Sequence, residues 1–330
     1  MAEYRAAIIG CGRIGGGYGF ANDAGEVASH ASGYTSDPRV KLVAAVDSDK
    51  AAMMRFRERW AVDNLYTDYK EMFAHEDVDI VSICTWDEVH AGAVYAAVGA
   101  GVRVILCEKP LAPSLAEAKE VVELCERNKV ELFVGYQRRW EPAHRAARDF
   151  IASDNLGDIL AVHGYYVGGL RHNGCAWINL ARYLVGDIEQ ANAMSPLVEG
   201  AVDPSISINL TFTCGCNGSL LAANRDAYSV FEIDVLGTQG RVRFSDAGEE
   251  IEVWQVGEDK RYPGFRRLLR SQHQWPNPQL SQALNIGIAA IVDFLDGTGE
   301  NTSSGLDAVR DMEIVESVLA ESNARMELGA

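Results

Sequence analysis

No stretch of the chain reaches the roughly 18 uninterrupted apolar residues that a membrane-spanning helix needs. The opening segment MAEYRAAIIGCGRIG runs straight into a strand pattern and lacks the layout of a secretory leader. Both absences point to a soluble, cytoplasmic chain with no membrane partner. Basic residues are scarce as well: 30 Lys and Arg stand against 47 Asp and Glu, a formal charge of −17. Such a surface repels nucleic-acid phosphates and anionic lipid, which argues against any nucleic-acid role. Cysteine is sparse and odd in number, and the seven (Cys11, Cys84, Cys107, Cys125, Cys175, Cys214 and Cys216) are scattered, mostly in apolar runs such as VSICT and VILCE. That is the pattern of reduced, buried thiols, not of a disulfide framework. Cys214 and Cys216 form a lone Cys-x-Cys without a second pair or a nearby His, so they read as two positions on one face of a strand, and no metal is expected. Internal repeats and low-complexity segments are absent too.

What remains is an ordinary globular composition, 48% hydrophobic and 23% charged over 330 residues, long enough for two domains. From Tyr4 to about Lys129, short β-branched runs alternate with amphipathic stretches. Strands are expected over Arg5 to Ile9, Lys41 to Val46, Ile80 to Cys84, Arg103 to Cys107 and Glu131 to Gly135, and helices over Lys50 to Trp60, His90 to Ala100 and Ser114 to Asn128. This βαβ alternation predicts a doubly wound parallel sheet. After Arg148 the pattern changes. One helix, Ala176 to Leu184, sits among strand candidates Ala161 to Val167, Ser205 to Thr213, Ser219 to Asn224, Phe231 to Leu236, Arg241 to Phe244 and Ile251 to Val256, joined by turn signals CNGS, GTQG and DAGE. Hairpins and an antiparallel sheet follow, with two closing helices over Ser281 to Leu295 and Gly305 to Ser322. The expected division is a dinucleotide-binding domain over 1–132 and an α+β domain over 133–330.

The first strand ends in Gly10-Cys11-Gly12-Arg13-Ile14-Gly15, a G-x-G-x-x-G placed where a strand should turn into a helix. Gly10 permits the tight turn, Gly12 lets backbone approach a pyrophosphate, and Gly15 allows close helix-to-strand packing. The helix start then offers free N–H groups and the positive end of its dipole to an anion. The second strand ends in Asp47, followed by Ser48 and Asp49 with no Arg. A carboxylate there accepts from the ribose hydroxyls of NAD and repels a 2′-phosphate. Alternatively, Asp47 caps the helix beginning near Lys50. The segment 16–26, GGYGFANDAGE, exceeds what a βα turn needs; it is either a flap beside the cofactor or a surface insertion.

With Glu108-Lys109-Pro110 after the fifth strand, the chain resembles the Gfo/Idh/MocA family of oxidoreductases. The resemblance rests on the glycine turn, His30 and Gly33, Cys84-Thr85 with His90, the Glu-Lys-Pro triplet, and Gly135-Tyr-Gln-Arg-Arg-Trp140. It continues in Asn179-Leu-Ala-Arg-Tyr-Leu-Val-Gly186 and Ser304-Gly-Leu-Asp-Ala-Val-Arg310. It implies an NAD-binding Rossmann domain, a second α/β domain with a large open, mostly antiparallel sheet, and a sugar-like or cyclitol substrate held in a cleft between them. It also places Thr85, Trp86, His90, Glu108 and Lys109 at the cofactor. Lys109 would stand beside the nicotinamide and a substrate hydroxyl, where an ammonium polarises the C–O bond and, when partly buried, carries a proton. Pro110 is a candidate for a cis peptide that aims it. The open sheet implies a covering partner, hence a homodimer or homotetramer.

One family pattern is broken. Members commonly read Asp-x-Gly-x-His-x-x-Asp at the first helix of the second domain, the His acting as general acid/base. Here the segment is His172-Asn173-Gly174-Cys175-Ala176-Trp177-Ile178-Asn179, so Ala176 takes the histidine position, His172 the first aspartate and Asn179 the second. Three explanations stand. Ala176 is a disabling replacement; Lys109 handles the proton with help from His172 or Tyr165; or the protein binds NAD and a sugar without turnover. His172-Asn-Gly also resembles the subgroup of amino-sugar and nonulosonic-acid pathways, which extends the substrate class to nucleotide sugars and amino sugars. His172 equally suits a helix cap. Arg138 and Arg139 are placed to grip a substrate carboxylate or phosphate, or to pair with Glu141. His90 suits a turn-stabilising role as well as a ligand contact, and Trp86 stands where the family commonly has proline. Arg266, Arg267 and Arg270 form a basic cluster fit for a mobile substrate loop or an oligomer contact.

Overall fold

The computed structural model describes residues 4–17, 27–196 and 201–329. Beyond Gly17, the long segment 16–26 lies outside the described residues. The chain forms two compact units, Met1–Glu141 with Ser281–Val309, and Pro142–Leu280 with Arg310–Ala330.

The first unit opens with β1 (Tyr4–Ile9), α1 (Arg13–Gly16), α2 (His30–Ser36), β2 (Val40–Val46), α3 (Lys50–Trp60), β3 (Asn64–Tyr66) and α4 (Tyr69–His75). It continues through β4 (Ile80–Ile83), α5 (Asp87–Gly99), β5 (Val104–Cys107), α6 (Leu115–Asn128) and β6 (Glu131–Val134). The six strands are parallel in the order β3-β2-β1-β4-β5-β6. This is the doubly wound Rossmann order, in which the order of successive strands reverses between β1 and β4 and ligands bind at the carboxyl ends there. IVSI of β4 and VILC of β5 are buried at every residue, as central parallel strands covered on both faces must be. Caps bound the helices. Asp49 accepts the Ala51 N–H at the start of α3, and Ser114 accepts the Glu117 N–H while donating to its carboxylate at the start of α6. Patterning alone missed α2, whose HASGYTS is poor in helix formers. It folds because Ser29 and Ser32 cap each other and because Gly33 leaves room for Ile288, whose Cδ1 lies 2.4 Å from where a Cβ would stand.

The second unit follows with α7 (Pro142–Ala152), β7 (Ile159–Tyr166), α8 (Cys175–Val185), β8 (Ile188–Pro196), β9 (Ile206–Phe212), β10 (Asn217–Ala222), β11 (Phe231–Gly237), β12 (Gly240–Ser245), β13 (Glu250–Glu258) and β14 (Arg266–Arg270). These eight strands form one sheet, β14-β13-β12-β11-β7-β10-β9-β8, antiparallel except where β10 runs parallel to β7. Alternate residues of β9, β11 and β12 are buried. The inward row, including Val162, Ile208, Ile233, Val235 and Phe244, packs with Trp177, Ile178 and Ala181 of α8. The opposite face carries His163, Tyr165, Arg241 and Trp254, partly or fully exposed.

Two helices close the chain, α9 (Ala283–Leu295) and α10 (Gly305–Gly329). Leu284, Ile288, Ile291 and Val292 of α9 share a core with Ile8, Tyr34, Phe133 and Trp140, so this late segment belongs to the first unit. A single boundary at 132/133 therefore differs from the observed division, because an apolar helix face was available 150 residues downstream and pattern does not reveal which core takes it. Two local readings also change. Cys214 and Cys216 lie at the β9–β10 turn rather than along a strand, with Sγ atoms 3.4 Å apart. The Arg266–Arg270 cluster is the exposed edge strand β14, paired with β13. No helix among the described residues is long and apolar enough to cross a membrane.

Candidate active site

At the end of β1 the glycines do separate jobs. Gly10 has φ +104°, and a Cβ on it would stand 2.7 Å from the Cys84 carbonyl carbon, so the turn passes directly over the end of β4. A Cβ on Gly15 would lie 2.0 Å from the Gly10 carbonyl oxygen, leaving only glycine possible at this packing distance. Around Gly12, by contrast, nothing lies within 4 Å of that position. Gly12 and Arg13 are exposed and Ile14 is half-buried, and Gly12 caps α1 with no side chain of its own. Two residues are packed shut and one is open, which is the arrangement for backbone approach to a pyrophosphate. Trp60 Nε1 donates to the Gly16 carbonyl at 3.0 Å and Arg59 to that of Gly17 at 3.1 Å, pinning the end of the turn.

Asp47 stands at the end of β2. Its carboxylate accepts the Cys11 N–H at 2.7 Å and the Asp49 N–H at 2.8 Å. The cap of α3 is Asp49, so the capping role considered for Asp47 falls to its neighbour. Asp47 instead ties the glycine turn to the end of β2, half-buried, with the exposed Ser48 beside it. Burial, with the Asp47 charge adding, pushes the Cys11 thiol up to about 12, so it stays a neutral packing group.

At the ends of β4 and β5 the two loops are tied together. The Lys109–Pro110 peptide is cis. His90, buried at the start of α5, sets Nδ1 2.9 Å from the Pro110 carbonyl and Nε2 3.1 Å from that of Thr85. Both ring nitrogens thus lie against backbone carbonyls, so His90 ties the two loops together. The Glu108 carboxylate is 3.0 Å from His30 Nε2, while His30 Nδ1 meets Ser82 Oγ at 2.8 Å and Tyr34 OH meets the same oxygen at 2.7 Å. The four side chains form a buried chain beneath the loop that carries Lys109. Lys109 is half-buried and has no hydrogen-bond or ion-pair partner among the described residues. Thr85 Oγ1 is buried and equally without a partner, and Trp86 is 82% exposed. An orphaned hydroxyl, an unengaged ammonium and an open aromatic at the carboxyl ends of the switch-point strands fit a bound dinucleotide.

In the second unit, a π-helical turn over Gly169–Gly174 leads into α8. His172 lies on it, exposed, with Nδ1 2.9 Å from Asp203 Oδ2. Asn173 donates its amide to the Val167 carbonyl at 2.7 Å. Ala176 is half-buried in the first turn of α8. Asn179 is buried and donates to Asp311 at 2.6 Å, while Asp311 also accepts from Arg182 at 2.5 Å. Burial disfavours the Arg182 charge, but Asp311 and Asp187 outweigh it and hold the guanidinium above its ordinary pKa. Asn179 is thus part of a buried charge network. An aspartate at this position would face Asp311 oxygen to oxygen across one guanidinium. Tyr165 is 47% exposed on β7, opposite Glu232 of β11 and near His163, Asp234, Arg241 and Arg243 around a polar hollow of about 200 Å³. Arg138 is half-buried on a one-turn helix, Gln137–Arg139; its neighbour Arg139 is buried against Thr302 O and Asp307.

Sequence reading missed Asp203, Asp311 and the Tyr34–Ser82–His30–Glu108 chain. Nothing local marks Asp203 in AVDPS, since its partner lies 31 residues away. His30, though quoted as part of the resemblance, carried no role until its partners were visible.

Comparison with known proteins agrees with this geometry. Residues 4–136 match a family model described as "Oxidoreductase family, NAD-binding Rossmann fold". D-apiose dehydrogenase from Paraburkholderia graminis is 26% identical over an alignment covering 96% of this chain and 87% of that protein. Myo-inositol 2-dehydrogenase from Thermotoga maritima is 26% identical, covering 76% and 77% respectively. Among solved structures, levoglucosan dehydrogenase in complex with NADH and L-sorbose superposes with a TM-score of 0.81 at 19% identity, covering 98% of both chains.

Proposed function

We propose that the chain is an oxidoreductase of the Gfo/Idh/MocA type, a reading supported by the match of residues 4–136 and by the sugar-dehydrogenase relatives, and that it moves a hydride between the nicotinamide of NAD and a secondary alcohol of a sugar-type substrate. The observation that carries the reading is the cradle at the ends of β1, β2, β4 and β5: a turn open only at Gly12, an Asp47 carboxylate fixed beside it, and Lys109 left unengaged after a cis peptide. Bound there, the nicotinamide supplies the two-electron acceptor. Gly10, Gly12, Arg13, Ile14 and Gly15 hold the pyrophosphate end. Asp47 and Ser48 receive the ribose hydroxyls, and the Asp47 charge selects NAD over a 2′-phosphorylated cofactor. Thr85, Trp86 and Lys109 line the nicotinamide end. As the hydride leaves the carbinol carbon, Lys109 as a neutral amine, or a neighbouring group, takes the hydroxyl proton.

The relatives act, by name, on D-apiose, levoglucosan and myo-inositol. Their common feature supports a sugar or cyclitol with a secondary alcohol as substrate, and the substrate class we assign extends to amino sugars and nucleotide sugars. Arg138, Tyr165 and His172 are the side chains assigned to it. The open face of the second sheet is assigned to a second copy of the chain, giving a homodimer or homotetramer that light scattering would detect.

A second reading, a protein that binds NAD and a sugar without turnover, draws on Ala176. NADH formation from NAD over a panel of sugars, cyclitols and nucleotide sugars, with the native chain and Ala176→His, separates the two. Turnover by the native chain supports the assignment to Lys109 and His172. Turnover confined to Ala176→His identifies Ala176 as the disabling position. Silence in both, with NADH binding demonstrated, favours the binding protein.

A further inference from the structure

Among the described residues nothing pairs with Lys109, while both of its chain neighbours are held from within the first unit. On one side, the Glu108 N–H donates to the Ile83 carbonyl at 3.0 Å, and the Glu108 carboxylate lies 3.0 Å from His30 Nε2. On the other, His90 Nδ1 lies 2.9 Å from the Pro110 carbonyl. The carboxylate of Glu108 fills space that Gly135 leaves at the end of β6: a Cβ there would stand 2.8 Å from Oε1 and 3.0 Å from Oε2. Behind His30 the chain runs on through Ser82 to Tyr34, all three fully buried. Burial pushes the Tyr34 hydroxyl well above its ordinary value, so it stays protonated and donates to Ser82 Oγ. Ser82 then gives its own proton to His30 Nδ1, and Nε2–H points to Glu108, which as a carboxylate only accepts. Every donor faces toward the carboxylate, and no buried hydroxyl proton of the chain is left without an acceptor.

We propose that His30 is a positioning residue for Lys109: by holding the Glu108 carboxylate over Gly135, it keeps that acid from pairing with the amine next to it in the chain. The proposal rests on the reading of Lys109 as the proton-carrying group at the nicotinamide end. An amine that takes a hydroxyl proton needs a free lone pair. A carboxylate engaged with it would favour the ammonium and keep that lone pair occupied. Glutamate directly before lysine puts such a carboxylate within reach unless it is engaged elsewhere. Here it is engaged on the inner side, where the donor chain from Tyr34 compensates a charge that burial would otherwise disfavour. His30 is fully buried, so it acts through Glu108 and not on a ligand. Lys109 is thereby presented by two held neighbours with its own side chain unengaged.

The test compares His30→Leu and Gly135→Ala, each alone and combined with Glu108→Gln, in the full chain. Leucine removes the donor to Glu108. Alanine at position 135 instead pushes on the far end of the Glu108 side chain, the part able to yield, and leaves His30 in place. Trace acylation with acetic anhydride, read by mass spectrometry against the exposed Lys41 and Lys70, reports whether Lys109 is paired and needs neither cofactor nor substrate. The Lys109 rate should fall by about threefold or more in both single variants, the effect of a modest ion pair, and return to the native value once Glu108→Gln removes the charge. With any substrate that the native chain oxidises, kcat should fall by about 10- to 100-fold in the single variants and recover in the doubles, with NADH affinity little changed. Damage to packing alone would not be repaired by a second substitution at Glu108. Unchanged Lys109 labelling in Gly135→Ala or in a folded His30→Leu overturns the proposal, as does a fall that Glu108→Gln fails to reverse. A native chain silent on every compound refutes the dehydrogenase reading instead, and the labelling still decides whether His30 keeps Glu108 from Lys109.

Discussion

The two units hold their candidate sites by different means. In the first, the site is made of backbone: a turn whose shape depends on which positions lack a Cβ, carbonyls clamped by His90, and N–H groups fixed on Asp47. In the second, it is made of side chains whose partners come from far along the chain, His172 with Asp203 and Asn179 with Asp311. A backbone site tolerates almost no change at a few glycines and ignores much else. A side-chain site can move its groups from one position to another while the scaffold stays, which is how Ala176 and His172 can depart from the family pattern inside an intact fold.

The sharpest way to break this contrast is Gly15→Ala. With a Cβ 2.0 Å from the Gly10 carbonyl, the strain should reach or exceed the upper end of the roughly 1–3 kcal/mol typical of overpacking, more than about 100-fold in Kd. Titration calorimetry with NADH should show saturable binding lost, with the second unit's thermal transition unchanged; near-native affinity would contradict the backbone account. Next comes Asp311→Ala, which strips the buried Arg182 of its main counter-charge. Because Asp187 remains bonded to Arg182, the loss should fall near the low end, about 3 kcal/mol, read by urea denaturation. NADH affinity should hold.

Asp47→Ala should have a more modest effect. Removing the charge should erode the preference for NAD over NADP by about tenfold, or about 1.4 kcal/mol, measured as the ratio of dissociation constants. An unchanged ratio would assign discrimination to other groups. The smallest effect is expected at Asp37, where the hydrogen bond from Arg39 holds the carboxyl below its ordinary value. A folded pKa below the unfolded one means that this stabilisation is complete above the unfolded value and disappears as pH falls through the folded one, that is, below about pH 4. Asp37→Asn should therefore lose less stability than the native chain between neutral pH and about pH 3.

The same contrast governs what could be read in advance. Glycine spacing, β-branched runs and cap residues are local, so the strands β1, β2, β4, β5 and β6, the helix α3 and the glycine turn were legible within a residue or two. The cis peptide at Pro110 was anticipated from Glu-Lys-Pro. Short or irregular elements were not: β3 has three residues, and β14 is an exposed arginine-rich edge that pairing alone defines. In the candidate site, Asn179 and Asn173 share a helix-entry pattern with working residues, and only their partners, Asp311 and Val167 O, reveal that both are already engaged. Glu108 and His90 are likewise engaged, with His30 and with the Pro110 and Thr85 carbonyls. The sequence pattern marked their importance, but it did not disclose that they face inward.

The central claim is hydride transfer, and isotope transfer tests it most directly. The native chain would be incubated with NAD and a panel of carbon-deuterated sugars and cyclitols, and the reduced nucleotide analysed by mass spectrometry. The account predicts one deuterium at the nicotinamide for at least one compound. A protein that binds NADH saturably yet leaves the nucleotide free of deuterium across the panel would contradict it.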